Sequence, residues 1–63
     1  MKKFIETNVQ PRIMAFAEIA GGVTSRLMDL AVSSIRRNFP DETEEAIMKA
    51  LDDAGIRVGA YKV

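Results

Sequence analysis

Three stretches of the chain carry apolar residues at helical spacing, and residues that start or stop helices bound each stretch. The pattern predicts helices over about 9–20, 24–39 and 42–54. Asn8 is the expected N-cap of the first helix, with Pro11 tolerated in its first turn, where amides lack intrahelical partners. Thr24 or Ser25 is expected to cap the second helix, which should stop before Pro40.

The third helix has the clearest start and stop signals. Asp41 followed by Glu44 resembles a capping box, with Asp in the role of Ser or Thr. Gly55 follows the last apolar turn, so it should take the left-handed position of a Schellman stop. In that motif Ile56 contacts Leu51, and the helix ends at residue 54.

Gly21 and Gly22 lie between the first two predicted helices and allow two interpretations. Paired glycines cost about 1 kcal/mol each inside a helix, which favours a break. In the alternative, one long helix continues through the pair, and Ala17, Gly21 and Ser25 form a seam of small residues for close packing. The break is the favoured interpretation.

The two ends of the chain lack helical periodicity. Phe4 and Ile5 are adjacent within residues 2–7, which fits neither a clean strand nor a long helix, so we expect a short extended segment. Residues 57–63 alternate like a strand, with Val58 and Ala60 on one side. Because a lone strand is not stable, it must pair with the N-terminal segment or with its twin in another subunit, or else stay frayed.

The first two helices carry more apolar surface than one packing neighbour requires. The apolar positions of the second helix sweep roughly 200°, whereas one neighbour needs only about 100°. The first helix has little polar surface beyond Arg12 and Glu18, and a helix that is apolar nearly all round is a buried one. We therefore expect a second copy to cover these helices. The predicted contact residues between copies are Ile13, Phe16, Ala17, Val23, Leu27, Leu30, Ala31, Ile35 and Phe39.

The predicted fold class is mainly α: a single small three-helix domain, residues 1–63, with short extended N- and C-terminal segments and completion by homo-oligomerisation. Chains this short usually need a disulfide, a metal ion or a second copy for stability. Cys and His are absent, so a disulfide is excluded and a metal site would rest on carboxylates alone. The alternative is ordinary exposure of single apolar side chains.

A net charge of zero conceals an uneven charge distribution. Residues 41–53 carry a net charge of −5, and the rest of the chain carries +5. In one interpretation these are solvated faces that keep the protein in solution. In the other, arginines of the second helix, brought together by the symmetry of the oligomer, hold an anion, and Tyr61 stacks on a base. The candidate binding residues are Arg26, Ser33, Arg36, Arg37, Tyr61 and Lys62.

Catalysis is poorly supported by the residue types present. His is absent, the carboxylates cluster on a helix expected to be exposed, and the serines have no His base. Gly21-Gly22 lacks the continuation that a phosphate-binding loop requires. We therefore expect a non-enzyme with no catalytic residue, no metal ligand and no cofactor.

The expected function is stoichiometric binding by a small homo-oligomer, as an inhibitor, adaptor or sequestering protein. Its partners would be itself and either another protein or an anionic small molecule such as a nucleotide. DNA binding by a transcriptional regulator is the alternative, although the predicted recognition helix 42–54 is acidic and would repel phosphate. A structural assembly role is the second alternative. No spanning apolar run or secretory signal pattern is present, so we expect a cytoplasmic protein without a membrane partner.

Overall fold

A computed structural model describes residues 1–62, and it confirms the mainly α fold class. The first helix has three consecutive segments: α1 (Lys2–Phe4), a π-helical segment (Ile5–Val9) and α2 (Gln10–Ala20). Two further helices follow, α3 (Ser25–Asn38) and α4 (Glu44–Asp53). The described residues contain no strand.

The N-terminal segment is helical, so the prediction of an extended N-terminus is wrong. Asn8 lies inside the helical backbone and does not cap it. The π-helical segment gives the physical reason: the Gln10 N–H donates to the carbonyl of Ile5, five residues earlier. Pro11 follows directly, and its ring and missing N–H would strain a regular α-helical turn. The wider π turn allows the helix to pass the proline.

The Gly21-Gly22 pair ends the first helix, so the predicted break is confirmed and the continuous-helix alternative is wrong. Gly21 has φ +81° and Gly22 has φ +138°, backbone conformations that L side chains rarely adopt. The Gly22 N–H donates to the carbonyl of Ala17 at 2.7 Å, which satisfies an acceptor of the last helical turn.

α3 has the bounds that the sequence predicts, to within one residue. Its N-cap is Thr24, whose Oγ1 accepts a hydrogen bond from the Leu27 N–H at 3.2 Å. The helix ends at Asn38, and the Phe39 N–H donates to the carbonyl of Ile35 at 2.8 Å.

α4 begins two residues later than predicted, because Thr43 and not Asp41 provides the cap. Thr43 Oγ1 accepts a hydrogen bond from the Ala46 N–H at 3.1 Å, whereas Asp41 lies in the turn after α3. With this start, Glu44 and Glu45 occupy the first turn, where the helix dipole favours negative charge.

The predicted Schellman stop at the end of α4 is confirmed. Gly55 has φ +80°, and its N–H donates to the carbonyl of Asp52 at 2.9 Å. The Ile56 N–H donates to the carbonyl of Leu51 at 2.8 Å. Both of these apolar side chains are fully buried in the same cluster, as the motif requires.

Residues 57–62 form turns, so the strand predicted over 57–63 is wrong for this part, and Val63 lies outside the described residues. Gly59 (φ +90°) and Tyr61 (φ +56°) both have left-handed backbone, which interrupts an extended chain. Two hydrogen bonds nevertheless attach this segment to the α2–α3 junction. The Val23 N–H donates to the carbonyl of Ala60 at 2.9 Å, and the Gly59 N–H donates to the carbonyl of Val23 at 2.8 Å.

One apolar cluster joins the three helices. Its buried members are Ile5, Val9, Ile13, Ala17, Val23, Leu27, Met28, Ala31, Ile35, Ile47, Leu51 and Ile56. The rings of Phe4 and Phe39 pack edge to face beside this cluster, with centroids 5.5 Å apart. Among the described residues, no polar or charged side chain is buried. A single subunit therefore forms an apolar core of its own.

Candidate functional site

A groove of about 350 Å³ between α2 and α3 combines cationic, hydroxyl and exposed apolar side chains. We call it the basic groove. Its lining residues are Asn8, Val9, Arg12, Ile13, Phe16, Leu30, Ala31, Ser33, Ser34 and Arg37. Arg12 and Phe16 come from the first helix, whereas Leu30 and Arg37 come from the second.

Helical spacing explains why these side chains line the same groove. Arg12 and Phe16 are four residues apart, so they share one face of α2. Leu30, Ser33 and Arg37 follow one another at intervals of three and four, so they share one face of α3. The groove therefore runs along the edge of the contact between the two helices.

The two arginines of the basic groove carry charge that no acidic side chain of the subunit neutralises directly. Within residues 1–62, the one ion pair joins Arg57 Nη1 to Asp52 Oδ1 at 3.6 Å, with both side chains exposed. Arg12 and Arg37 are exposed and belong to no ion pair in this part of the chain. A carboxylate or phosphate from outside the subunit is the natural complement of such a pair.

The apolar walls of the groove are open to solvent. Phe16 is 52% exposed and Leu30 is 55% exposed. Single exposed apolar residues are common on protein surfaces, but these two line one groove together with two arginines. Aromatic residues and Arg are the residue types enriched at the energetic centres of protein interfaces. The composition of the groove therefore fits a protein-binding surface.

A second groove, of about 610 Å³, lies between the N-terminal helix and α4. Its charged residues are Lys2, Glu6 and Asp53, so their signs are mixed. The Gln10 amide crosses it, donating from Nε2 to the carbonyl of Ala54 at 3.4 Å. This groove has no exposed large apolar side chain, so we consider it a weaker candidate for binding.

Within one subunit, the residues of the predicted anion site lie only partly together. Ser33 and Arg37 line the basic groove, whereas Arg26 and Arg36 lie outside it, exposed elsewhere on α3. Arg26 precedes Arg37 by eleven residues, which corresponds to about 16 Å along a helix axis. Within one subunit the arginines of α3 therefore do not converge on one small ligand, and their approach across copies stays a prediction.

The two predicted site residues of the C-terminal segment also lie outside the basic groove. Tyr61 lines a separate groove with Pro11 and Met14, on the other side of α2. Its hydroxyl oxygen accepts a hydrogen bond from Gln10 Nε2 at 3.4 Å. Lys62 is exposed after the C-terminal turns. Within one subunit, Tyr61 therefore does not lie beside the arginines of α3.

The structure divides the predicted contact residues between core and surface. Six of them are buried within the subunit's own core: Ile13, Ala17, Val23, Leu27, Ala31 and Ile35. Phe39 is half-buried beside that core. Phe16 and Leu30 are exposed, and so are Met14 and Ile19, which the prediction did not include. Among these residues, the exposed apolar surface therefore lies mainly on α2.

Arg12 is the charged residue of the basic groove that sequence reasoning missed. The sequence showed it only as a rare charged residue in an apolar helix. Its spacing of four from Phe16 was the available signal, because it places a cation beside a large apolar side chain. Its proximity to Arg37 depends on how α2 packs on α3, and helical periodicity does not report that packing.

Comparison of the chain with protein-family models, with curated proteins and with solved structures gave no match. Function is therefore inferred from the described residues. No group of His, Cys, Asp or Glu side chains among them could hold a metal ion. None of the helices between residues 1 and 62 has the length and apolar character needed to cross a bilayer. The basic groove is the strongest candidate site.

Proposed function

We propose that this protein is a non-catalytic, self-associating binding protein that acts stoichiometrically, by holding an acidic amphipathic helix of another protein in the basic groove. The observation that carries the proposal is the pairing of exposed Phe16 and Leu30 with Arg12 and Arg37 in one groove. Inhibitor, adaptor and sequestering roles all require such a surface. The proposal includes a cytoplasmic location, as expected from the sequence.

A helical segment is the partner that suits this groove. A cleft between two packed helices can receive a third helix. The side chains of the third helix form ridges, and these ridges fit into the grooves between the side chains of the two helices. An apolar side chain of the partner would rest between Phe16 and Leu30. Carboxylates one turn away would meet Arg12 and Arg37 in charge-assisted hydrogen bonds.

The groove favours a protein segment over nucleic acid. Duplex DNA binding draws its affinity from many neutralised phosphates, whereas this chain has zero net charge and an acidic α4. A nucleotide would engage the arginines but leave Leu30 without an apolar partner. An amphipathic helix engages both kinds of residue.

Fluorescence anisotropy with a labelled helical peptide of about 14 residues tests the proposal. The peptide carries Leu along one stripe and Glu on both flanks, and its matched control has Gln at every Glu. We expect saturable binding of the acidic peptide and at least about tenfold weaker binding of the Gln peptide. Arg12→Gln and Arg37→Gln should each weaken binding by about fivefold, as a partly exposed ion pair allows.

Arg26→Gln and Arg36→Gln are the matched controls, since they remove the same charge from α3 outside the basic groove. Their affinities should stay within about twofold of the unmodified chain. Equal losses in these controls, or no binding of the acidic peptide, would overturn the proposal. Binding of a DNA duplex of about 20 base pairs in place of the peptide, with steep salt dependence, would favour a DNA-binding function.

A further inference from the structure

The exposed surface of α4 has the composition that the basic groove is proposed to bind. Met48 is the one large apolar residue that α4 exposes, at 43%. Glu44 and Glu45 lie one turn before it, and both are exposed. Within residues 1–62, neither carboxylate belongs to an ion pair. The helix therefore presents an apolar side chain with two unpaired carboxylates one turn away.

The basic groove has an arginine end and an apolar end. Only residues 21–24 join α2 to α3, and helices with so short a connection are antiparallel neighbours. Arg37, near the end of α3, therefore lies at the same end of the groove as Arg12, whereas Leu30 lies level with Phe16. The residues that line the groove include no acidic side chain.

The carboxylates of α4 are arranged to meet both walls of the arginine end. At about 100° per residue, Glu44 lies about 40° to one side of Met48, and Glu45 lies about 60° to the other side. The two carboxylates therefore diverge towards opposite walls of a groove that receives Met48. Arg12 lies on the α2 wall of the basic groove and Arg37 on the α3 wall.

The spacing along the helix axes matches as well. Phe16 follows Arg12 by four residues, and Met48 follows Glu44 by four, so each pair spans about 6 Å. Lys49, the only cation of α4, lies about 100° from Met48 and so projects away from a groove that receives this side chain. α4 therefore matches the groove in charge and in length.

We propose that α4 of one copy occupies the basic groove of a second copy. Met48 would lie between Phe16 and Leu30, at the apolar end. The carboxylates of Glu44 and Glu45 would then lie level with the arginine end, where they accept charge-assisted hydrogen bonds. In this pose α4 runs parallel to α2 of the second copy.

The charge distribution of the chain favours this head-to-tail contact over a symmetric one. Residues 41–53 carry a net charge of −5, and the rest of the chain carries +5. A contact between two α4 helices, or between two basic grooves, would bring like charges together, which costs free energy. A contact between α4 and the groove brings opposite charges together.

The contact joins two copies, because no α4 residue lines the basic groove of its own subunit. Each copy contributes a different surface, so a pair retains one free groove and one free α4, and further copies can add. The inference rests on the proposed function and adds a means of regulation. An acidic helix of another protein would compete with α4 for the groove, so partner binding would dissociate the assembly.

One substitution on each surface tests the contact by sedimentation velocity. Met48→Lys brings a cation into the basic groove, and Arg37→Glu brings a carboxylate towards those of α4. Each should raise the dissociation constant of self-association by at least about tenfold. Met14→Lys is the matched control for the first, since Met14 is 46% exposed on the other flank of α2. Arg36→Glu is the control for the second, since Arg36 lies outside the groove.

Both control chains should associate within about twofold of the unmodified chain. Circular dichroism should show the same helicity in all four variants, since every substituted side chain is exposed. Met48→Gln and Arg37→Gln replace a variant that does not fold, with an expected weakening of about fivefold. Equal weakening by the controls would overturn the contact.

Mixing the two weakened chains tests whether the contact uses two different surfaces. The Arg37→Glu chain keeps an intact α4, and the Met48→Lys chain keeps an intact groove, so the mixture can form one contact. At a concentration where each chain alone is monomeric, an equimolar mixture should form pairs of twice the 7.0 kDa subunit mass and nothing larger. No association in the mixture would overturn the proposal.

The acidic peptide distinguishes this inference from the proposed function. Excess peptide should return the unmodified chain to 7.0 kDa, and Met48→Lys should bind the peptide as tightly as the unmodified chain does in dilute solution. Peptide binding by a chain that stays monomeric, or that self-associates equally well with Met48→Lys, would refute the α4 contact alone. Association in the mixture without peptide binding would refute the proposed function alone.

Discussion

α4 and α2 bury similar apolar stripes but present opposite kinds of surface to solvent. Ile47 and Leu51 of α4 are fully buried, and the other side of that helix exposes charged residues such as Glu45 and Asp52. α2 buries Ile13 and Ala17, yet it exposes Met14 and Phe16 on its two flanks and Ile19 on its outer side. Met48 is the one exposed large apolar residue of α4, at 43%, whereas α2 exposes three, so α2 leaves more apolar surface uncovered within one subunit.

An Ile→Ala substitution in each helix should distinguish the buried position in α4 from the exposed position in α2. Only the substitution in α4 should lower the stability of the subunit. Ile47→Ala should lower the free energy of unfolding by about 3 kcal/mol, because it leaves a cavity in the core. Ile19→Ala should change it by less than about 0.5 kcal/mol in dilute protein, since the side chain is 85% exposed. Urea unfolding followed by circular dichroism measures both.

Should Ile47→Ala prevent folding, Ile47→Val keeps the comparison measurable, with an expected loss of about 1 kcal/mol. Similar losses at positions 19 and 47 would mean that the outward face of α2 is buried within the subunit. That result would remove the contrast between the two helices.

The glycine stops of α2 and α4 should respond alike, because they have the same backbone conformation. Gly21 has φ +81° and Gly55 has φ +80°, so an Ala at either position is strained. Each substitution should cost about 1–2 kcal/mol. Gly22→Ala should cost more, because its Cβ would also lie 3.2 Å from Lys62 Cα. Urea midpoints that do not move in any of the three variants would contradict these stops.

Loss of the helix caps should have a smaller effect. Thr43→Ala removes the acceptor for the Ala46 N–H and should cost about 1 kcal/mol. Thr24→Ala removes the equivalent acceptor for the Leu27 N–H and should cost about the same. Asp41→Ala is the control, expected within about 0.5 kcal/mol of the unmodified chain. A larger loss of stability for Asp41→Ala than for Thr43→Ala would instead support Asp41 as the N-cap of α4, as predicted from the sequence.

The smallest expected effect belongs to the surface ion pair at the end of α4. Asp52→Asn should change the free energy of unfolding by less than about 0.5 kcal/mol, because both side chains of the pair are exposed. Repeating the urea titration at high salt tests whether any change is electrostatic, because salt should screen the ion pair and remove the difference in stability between Asp52→Asn and the unmodified chain. A loss of several kcal/mol would show that this pair anchors the C-terminal turns.

Local signals predicted those parts of the fold whose structure is decided by neighbouring residues. Thr24 marks the start of α3, and Gly55 with Ile56 marks the stop of α4, because caps and left-handed glycines act within a single turn. The prediction of where the first helix starts was wrong for a different reason. Pro11 normally marks a first turn, but here a π-helical segment allows the helix to pass it.

The periodicity of apolar residues did not predict features that depend on how the helices and turns pack against one another. Residues 57–62 alternate like a strand, but left-handed backbone at Gly59 and Tyr61 turns the segment onto the α2–α3 junction. The α3 face indicated Ser33 and Arg37 as site residues. Arg12, their neighbour across the groove, belongs to another helix, so only tertiary structure reveals it.

Sedimentation equilibrium of the unmodified chain, over a range of concentrations, asks whether the chain self-associates, as the proposed function requires. We expect at least twice the subunit mass of 7.0 kDa at tens of micromolar, falling towards 7.0 kDa on dilution. Met48→Lys should stay at 7.0 kDa over the same range. A mass of 7.0 kDa for the unmodified chain at every concentration up to about 1 mM would contradict self-association.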